Sequence, residues 1–175
     1  MSDSEFFREV DEAVRHEQYK RLWDRYGLFA IIGAGLIIAG VAGYKGWSYW
    51  SEKQAGDAGA QFTAALTLAK TGEAAKAREA FTQLAEKGPT GYRVLAKFQL
   101  AAAEAKAGET DKAVADYDAL SNDASVDEIL KGYATIQAAT LKIANADYAE
   151  MQRRLKTLTE GTSPWRFSAR ELLGL

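Results

Sequence analysis

The chain has no cysteine, one histidine and two prolines among its 175 residues. The first absence excludes disulfides, thiolate catalysis and cysteine-ligated zinc. With His16 alone, a multi-histidine metal centre is excluded too. So little proline beside so much alanine favours helix, because Ala has the best helix propensity and Pro breaks the ladder. An excess of one charge sign is also missing: 22 basic residues face 24 acidic ones, for a net charge of -2. Nucleic-acid binders normally carry a marked basic excess, so nucleic acid is not an expected partner. No Walker pattern and no GxGxxG loop occurs, and no serine sits in a nucleophile elbow. Carboxylates are scattered, and the pairs Asp116/Asp118 and Asp127/Glu128 read as solvated surface rather than catalytic dyads. Enzymatic activity is therefore not expected, and neither a cofactor nor a metal is implied.

Long apolar runs are missing as well, with one exception. From Tyr26 to Tyr44 the chain reads YGLFAIIGAGLIIAGVAGY, 19 residues without a charge. As a helix this spans roughly 27 Å, close to the hydrocarbon thickness of a bilayer. Arg25 and Tyr26 stand before it, and Lys45, Trp47, Tyr49 and Trp50 follow. Amphipathic rings and cations at both ends fit an interfacial belt, with Arg25, Tyr26, Trp47, Tyr49 and Trp50 as its anchors. A buried helix of a soluble domain is the first alternative, but it rarely lacks every polar side chain over five turns. A cleaved signal peptide is the second. It is disfavoured by a leading segment of 27 residues with seven acids, and by Tyr44-Lys45-Gly46-Trp47, which offers no small-x-small cleavage site. A transmembrane helix is expected over about 28–50, including its aromatic exit.

Arg15, Lys20, Arg21 and Arg25 precede the span, whereas only Lys45 and Lys53 follow closely. The positive-inside rule then places the N-terminus in the cytoplasm and the C-terminal part outside. Gly35, Ala39 and Gly43 recur every four residues on one face. Small residues at that spacing let a second helix approach closely, or simply reflect ordinary membrane-helix composition. Residues 1–27 form a charged leader with Ser2 and Glu5 at capping-box spacing. Phe6, Val10, Val14, Leu22 and Tyr26 repeat along one face of it, which predicts an amphipathic helix.

Beyond Trp50 the sequence repeats itself. Three short turns, Thr71-Gly72-Glu73, Ala107-Gly108-Glu109 and Asn145-Ala146-Asp147, have centres 36 and 38 residues apart. Ten residues before each centre lie Phe62, Phe98 and Ile136, and seven before lie Ala65, Ala101 and Ala139. Five after come Ala77, Ala113 and Met151, nine after Phe81, Tyr117 and Leu155, twelve after Leu84, Leu120 and Leu158. Each unit is an apolar helix, a tight turn and a second apolar helix. Small residues sit where the two helices must approach, and large ones fill the space between hairpins. One hairpin cannot bury its own apolar faces, so such units stack. The expected fold is all-α: one N-terminal transmembrane helix followed by a solenoid, with hairpins at about 52–88, 89–123 and 126–161 and a fourth starting at 164. Pro164 to Arg170 matches Gly91 to Lys97 at an offset of 73, which puts Leu173-Gly174 on Leu100-Ala101. On this register the chain stops mid-helix, and a continuation past Leu175 is expected.

The pattern resembles the tetratricopeptide repeat, with small packing positions in the first helix, a glycine turn, then alanine and an aromatic in the second. It departs from the family at Gln61, Lys97 and Thr135, where a Trp is usual. Leu68, Glu104 and Lys142 replace the aromatic before the turn. A single span, the exit Gly46-Trp47-Ser48-Tyr49-Trp50 and Ala-rich degenerate repeats together look like one bacterial family. It is the ancillary subunit of the SecYEG translocon, an inner-membrane protein with a periplasmic repeat domain. The leader segments Phe6-Phe7-Arg8-Glu9-Val10 and Trp23-Asp24-Arg25-Tyr26-Gly27 look like its alphaproteobacterial branch. The resemblance implies a non-catalytic adaptor. Its partners would be membrane lipid, the SecYEG channel, and a periplasmic chaperone or client polypeptide. An accessory or assembly subunit of a respiratory or photosynthetic complex is the other reading. Arg93, Lys97 and Lys106 are candidate contact residues on the repeats, or merely solvated charges.

Overall fold

The computed structural model describes residues 3–160 and 162–174, with side chains at position 20 and from 23 onward, residue 30 excepted. The Ser2–Glu5 capping box and the leader stripe from Phe6 to Leu22 lie outside what is described. Among the described residues there are seven helices and no strand. They are α1 (Asp3–Lys70), α2 (Ala74–Lys87), α3 (Thr90–Lys106), α4 (Thr110–Asn122), α5 (Glu128–Lys142), α6 (Tyr148–Thr159) and α7 (Arg166–Leu173). The chain divides into two units, Met1–Glu52 and Lys53–Leu175. Leader and apolar segment are both part of α1, and no proline interrupts them.

In the first unit, α1 is apolar enough to cross a membrane, and almost none of its apolar stretch is covered by protein. Leu28, Phe29, Ile31, Leu36, Ile37 and Ile38 are all exposed.

In the second unit the helices pair. The end of α1 packs on α2 through Phe62 and Phe81, whose rings meet edge-on at 5.5 Å. Further along, α3 packs on α4, α5 on α6, and α6 on α7. Three apolar clusters follow, each built from one hairpin plus the first helix of the next. The first joins Ala58 and Ala65 of α1 to Ala77, Phe81 and Leu84 of α2 and Ala96 of α3. In the second, Val94, Phe98 and Ala101 of α3 meet Val114, Tyr117 and Leu120 of α4 and Ala134 and Ala138 of α5. The third gathers Ile136 and Ala139 of α5, Met151 and Leu155 of α6, and Ala169 and Leu173 of α7. Sharing a helix between successive clusters is what makes the array a solenoid: no hairpin closes its own core. Burying a Phe or Leu side chain at one of these positions contributes about 1.5–3 kcal/mol.

Turn chemistry sets the spacing. Gly72 and Gly108 have φ of 87° and 82°, where an L side chain is strained. Glu73 N–H donates to Leu68 O at 3.0 Å and Glu109 N–H to Glu104 O at 2.9 Å, the pattern of a Schellman cap. The third turn has Ala146 in place of glycine and does not use the left-handed conformation. It runs longer, from Ile143 to Asp147, which accounts for the 38-residue spacing. Asp147 then caps α6 by accepting from Glu150 N–H at 2.7 Å. In the fourth element, Leu173 of α7 is buried in the third cluster, and Gly174 follows at φ 71° with its N–H bonded to Glu171 O.

Candidate functional site

Two surfaces carry the chemistry of contact, one on each unit. On the first unit, Gly35, Ala39 and Gly43 are exposed on α1, and a Cβ added at Gly35 or Gly43 would meet nothing within 4 Å. At the apolar edges, Tyr26, Trp47, Tyr49 and Trp50 are all at least half exposed. The Arg25 guanidinium lies 5.8 Å from the Tyr26 ring centre, and the Trp47 and Trp50 rings are 5.5 Å apart. Such rings bring an apolar face together with a hydroxyl or indole N–H, which suits a boundary between oil and water.

On the second unit, Ala65, Ala77, Ala101, Ala113 and Ala139 are buried, together with Phe81, Leu84, Phe98, Tyr117, Leu120, Ile136, Met151 and Leu155. Phe62 and Leu158 are half-buried and pack against their clusters. The repeat positions are thus the scaffold, and contact with partners falls to what they leave outside. Leu95, Ile129, Tyr133, Ile143, Tyr148 and Phe167 are the large apolar side chains exposed there. Of the candidate cations, Lys97 is engaged with Asp123 at 3.5 Å, and Arg93 donates to Thr90 Oγ1 at 3.2 Å. Hydrogen bonds from Ser125 to Asp123 hold that carboxyl below its ordinary value. Lys106 lies in the last turn of α3.

The paired acids are not idle surface. Asp118 bonds Arg154 of α6, tying the second hairpin to the third in an open polar groove with Thr135, Glu150 and Arg153. Asp127 caps α5 through Ile129 N–H at 2.8 Å. Asp116 lies beside Glu104, and burial followed by that neighbour pushes its carboxyl above the ordinary value. Sequence periodicity did not single out two further contacts. Tyr92 covers Gly59, where a Cβ would stand 2.6 Å from the hydroxyl, and Trp165 covers Gly132 so closely that a Cβ would overlap its ring. The Trp165 indole N–H donates to Ile129 O at 2.8 Å. Both pairs are 33 residues apart, and that shared Gly-to-aromatic spacing is the signal that would have found them.

Among the described residues no group of three or more His, Asp or Glu is placed to hold a metal ion. No curated protein matches the chain, and no solved structure does. One family model matches, the tetratricopeptide repeat-like domain, over residues 20–173. No catalytic family matches, and repeats of this kind serve as protein-binding scaffolds. The match takes in the apolar segment of α1 as well as the hairpins, and the chain belongs to the tetratricopeptide repeat-like domain family.

Proposed function

We propose that this protein is a membrane-anchored adaptor at the Sec translocon, linking secreted polypeptides to periplasmic chaperones through its repeats. In this reading α1 spans the inner membrane, the leader is cytoplasmic and the repeats stand in the periplasm. The observation that carries it is the extent of the family match. Residues 20–173 include an uncovered apolar helix and a stacked-hairpin scaffold, so anchor and docking surface belong to one family unit. The likeness of the leader and of the Gly46-Trp47-Ser48-Tyr49-Trp50 exit to the translocon's ancillary subunit gives that unit its address. The test is affinity capture of the full chain from membranes solubilised in mild detergent, followed by mass spectrometry. SecY, SecE and SecG with a periplasmic chaperone are expected. Respiratory or photosynthetic subunits without SecY would overturn the reading.

The uncovered Gly35/Ala39/Gly43 face favours a second reading, an accessory subunit of a membrane energy-converting complex held by helix packing. There the same capture would return respiratory or photosynthetic subunits.

A further inference from the structure

Two grooves on the repeats are one groove met twice. The first, of about 310 Å³, lies between α1 and the end of α2. Gln54, Asp57, Ala58 and Gln61 of α1 line it, with Gln83 and Leu84 of α2. The second, of about 380 Å³, is lined by the residues 74 positions further on. These are Glu128, Lys131, Gly132 and Thr135 of α5, with Thr157 and Leu158 of α6. Each groove also takes in a proline, Pro89 or Pro164, and the chain has no other. At the middle hairpin an ion pair occupies the equivalent place. Lys97 and Asp123 stand 36 residues beyond Gln61 and Lys87, and they meet at 3.5 Å.

Chemistry recurs along with place. One acid and one base stand in each groove, Asp57 with Lys87 and Glu128 with Lys131, so neither carries a net charge. A site of that kind does not favour a phosphate, an acidic tail or a basic one. Apolar surface comes from Ala58, Leu84 and Pro89 in one, and from Leu158 and Pro164 in the other. The remaining polar groups are neutral: the carboxamides of Gln54, Gln61 and Gln83, and the hydroxyls of Thr135, Thr157 and Ser163. All three glutamines are exposed, and their side chains bond no other described residue. Carboxamides and hydroxyls both donate and accept, as peptide groups do. We propose that the two grooves hold an extended segment of unfolded polypeptide. Its main chain bonds the neutral rim, and an apolar side chain rests on the apolar surface. Each groove is near the lower end of ligand-pocket size, roughly 300–1,000 Å³, so one alone holds weakly and two on the same chain hold better. This goes beyond the address proposed above: it states what the repeats hold, whichever complex holds α1.

The full chain in detergent micelles tests this by fluorescence anisotropy, with a labelled, unstructured peptide of Ala, Ser, Asn and Leu as the probe. Binding is expected, equally strong whether Lys or Glu is added to the peptide's ends, and as strong at high salt as at low. Gln61→Trp and Thr135→Trp each put an indole into one groove, at positions where the repeat family usually carries it. Either should weaken binding, and the two together by about tenfold or more, because the peptide then loses both holds. Glu86→Trp, exposed on α2 and outside the groove lining, should change nothing. A second measurement needs no variant. The same peptide with a central benzoylphenylalanine, photocrosslinked to the wild type, should attach within 54–61, 83–89, 128–135 or 157–164. Absence of binding, binding lost at high salt, full binding by the doubly plugged chain, or adducts confined to other segments would overturn the proposal. None of these outcomes involves SecY, so they leave the translocon reading to its own capture experiment.

Discussion

Phe81 is 3 % exposed and meets Phe62 edge-on, so it bridges the two helices of the first hairpin. Phe81→Ala removes a ring that α2 cannot replace by collapse, because Ala65 and Ala77 beside it are already fully packed. The loss should be about 3–5 kcal/mol, read as a lowered denaturant midpoint of the second unit. This residue was legible in the sequence because its class recurs at a fixed distance from the turn, as Tyr117 and Leu155 show. Glu104 was not. A carboxylate on a helix reads as solvated, and its burial depends on Arg78, 26 residues away, and on a helix beyond the next turn. The partner of Asp118 was not legible for the same reason: Arg154 is 36 residues distant and on a different hairpin. Short-range periodicity reports which face is apolar, but not which charge will be met across a packed interface.

At the scale of elements, Trp165, at the N-terminal end of α7, helps to seat that helix on α5. Its ring lies flush on Gly132 of α5 and 5.7 Å from the Tyr133 ring centre, while its indole N–H bonds Ile129 O. Gly132→Ala places a methyl group where the indole now sits. Its own helix geometry is undisturbed, since Ala is the better helix former, so the effect falls on docking rather than on α5. The expected outcome is faster amide exchange across Arg166–Leu173 and a red-shifted tryptophan component, with α2 to α4 unchanged. Protection equal to that of the wild type would show that α7 is seated by Ala169 and Leu173 alone. Helix pairs and their order were readable from repeated small and large positions. The longer third turn was not. It is settled by backbone conformation around Ala146, where position in a repeat is a poor guide.

At the scale of the whole molecule, the proposed topology, with the leader inside and the repeats outside, rests on charge. Arg15, Lys20, Arg21 and Arg25 stand before the apolar segment, against Lys45 and Lys53 after it. Basic residues near a span are retained on the cytoplasmic side, while nearby acids such as Glu17 and Asp24 contribute little to orientation. Because the chain has no cysteine, any one introduced is the sole target of a thiol reagent. Glu86→Cys, exposed on α2, should react with a membrane-impermeant maleimide in intact spheroplasts. Ser4→Cys should react only after permeabilisation, and the opposite pattern would invert the topology. The same preparations test the membrane face. Gly35→Leu with Gly43→Leu keeps the helix apolar, so the Glu86→Cys labelling should be unchanged while co-purification of a membrane partner falls. If co-purification is unchanged as well, Gly35, Ala39 and Gly43 face lipid, and the repeats alone hold the partner.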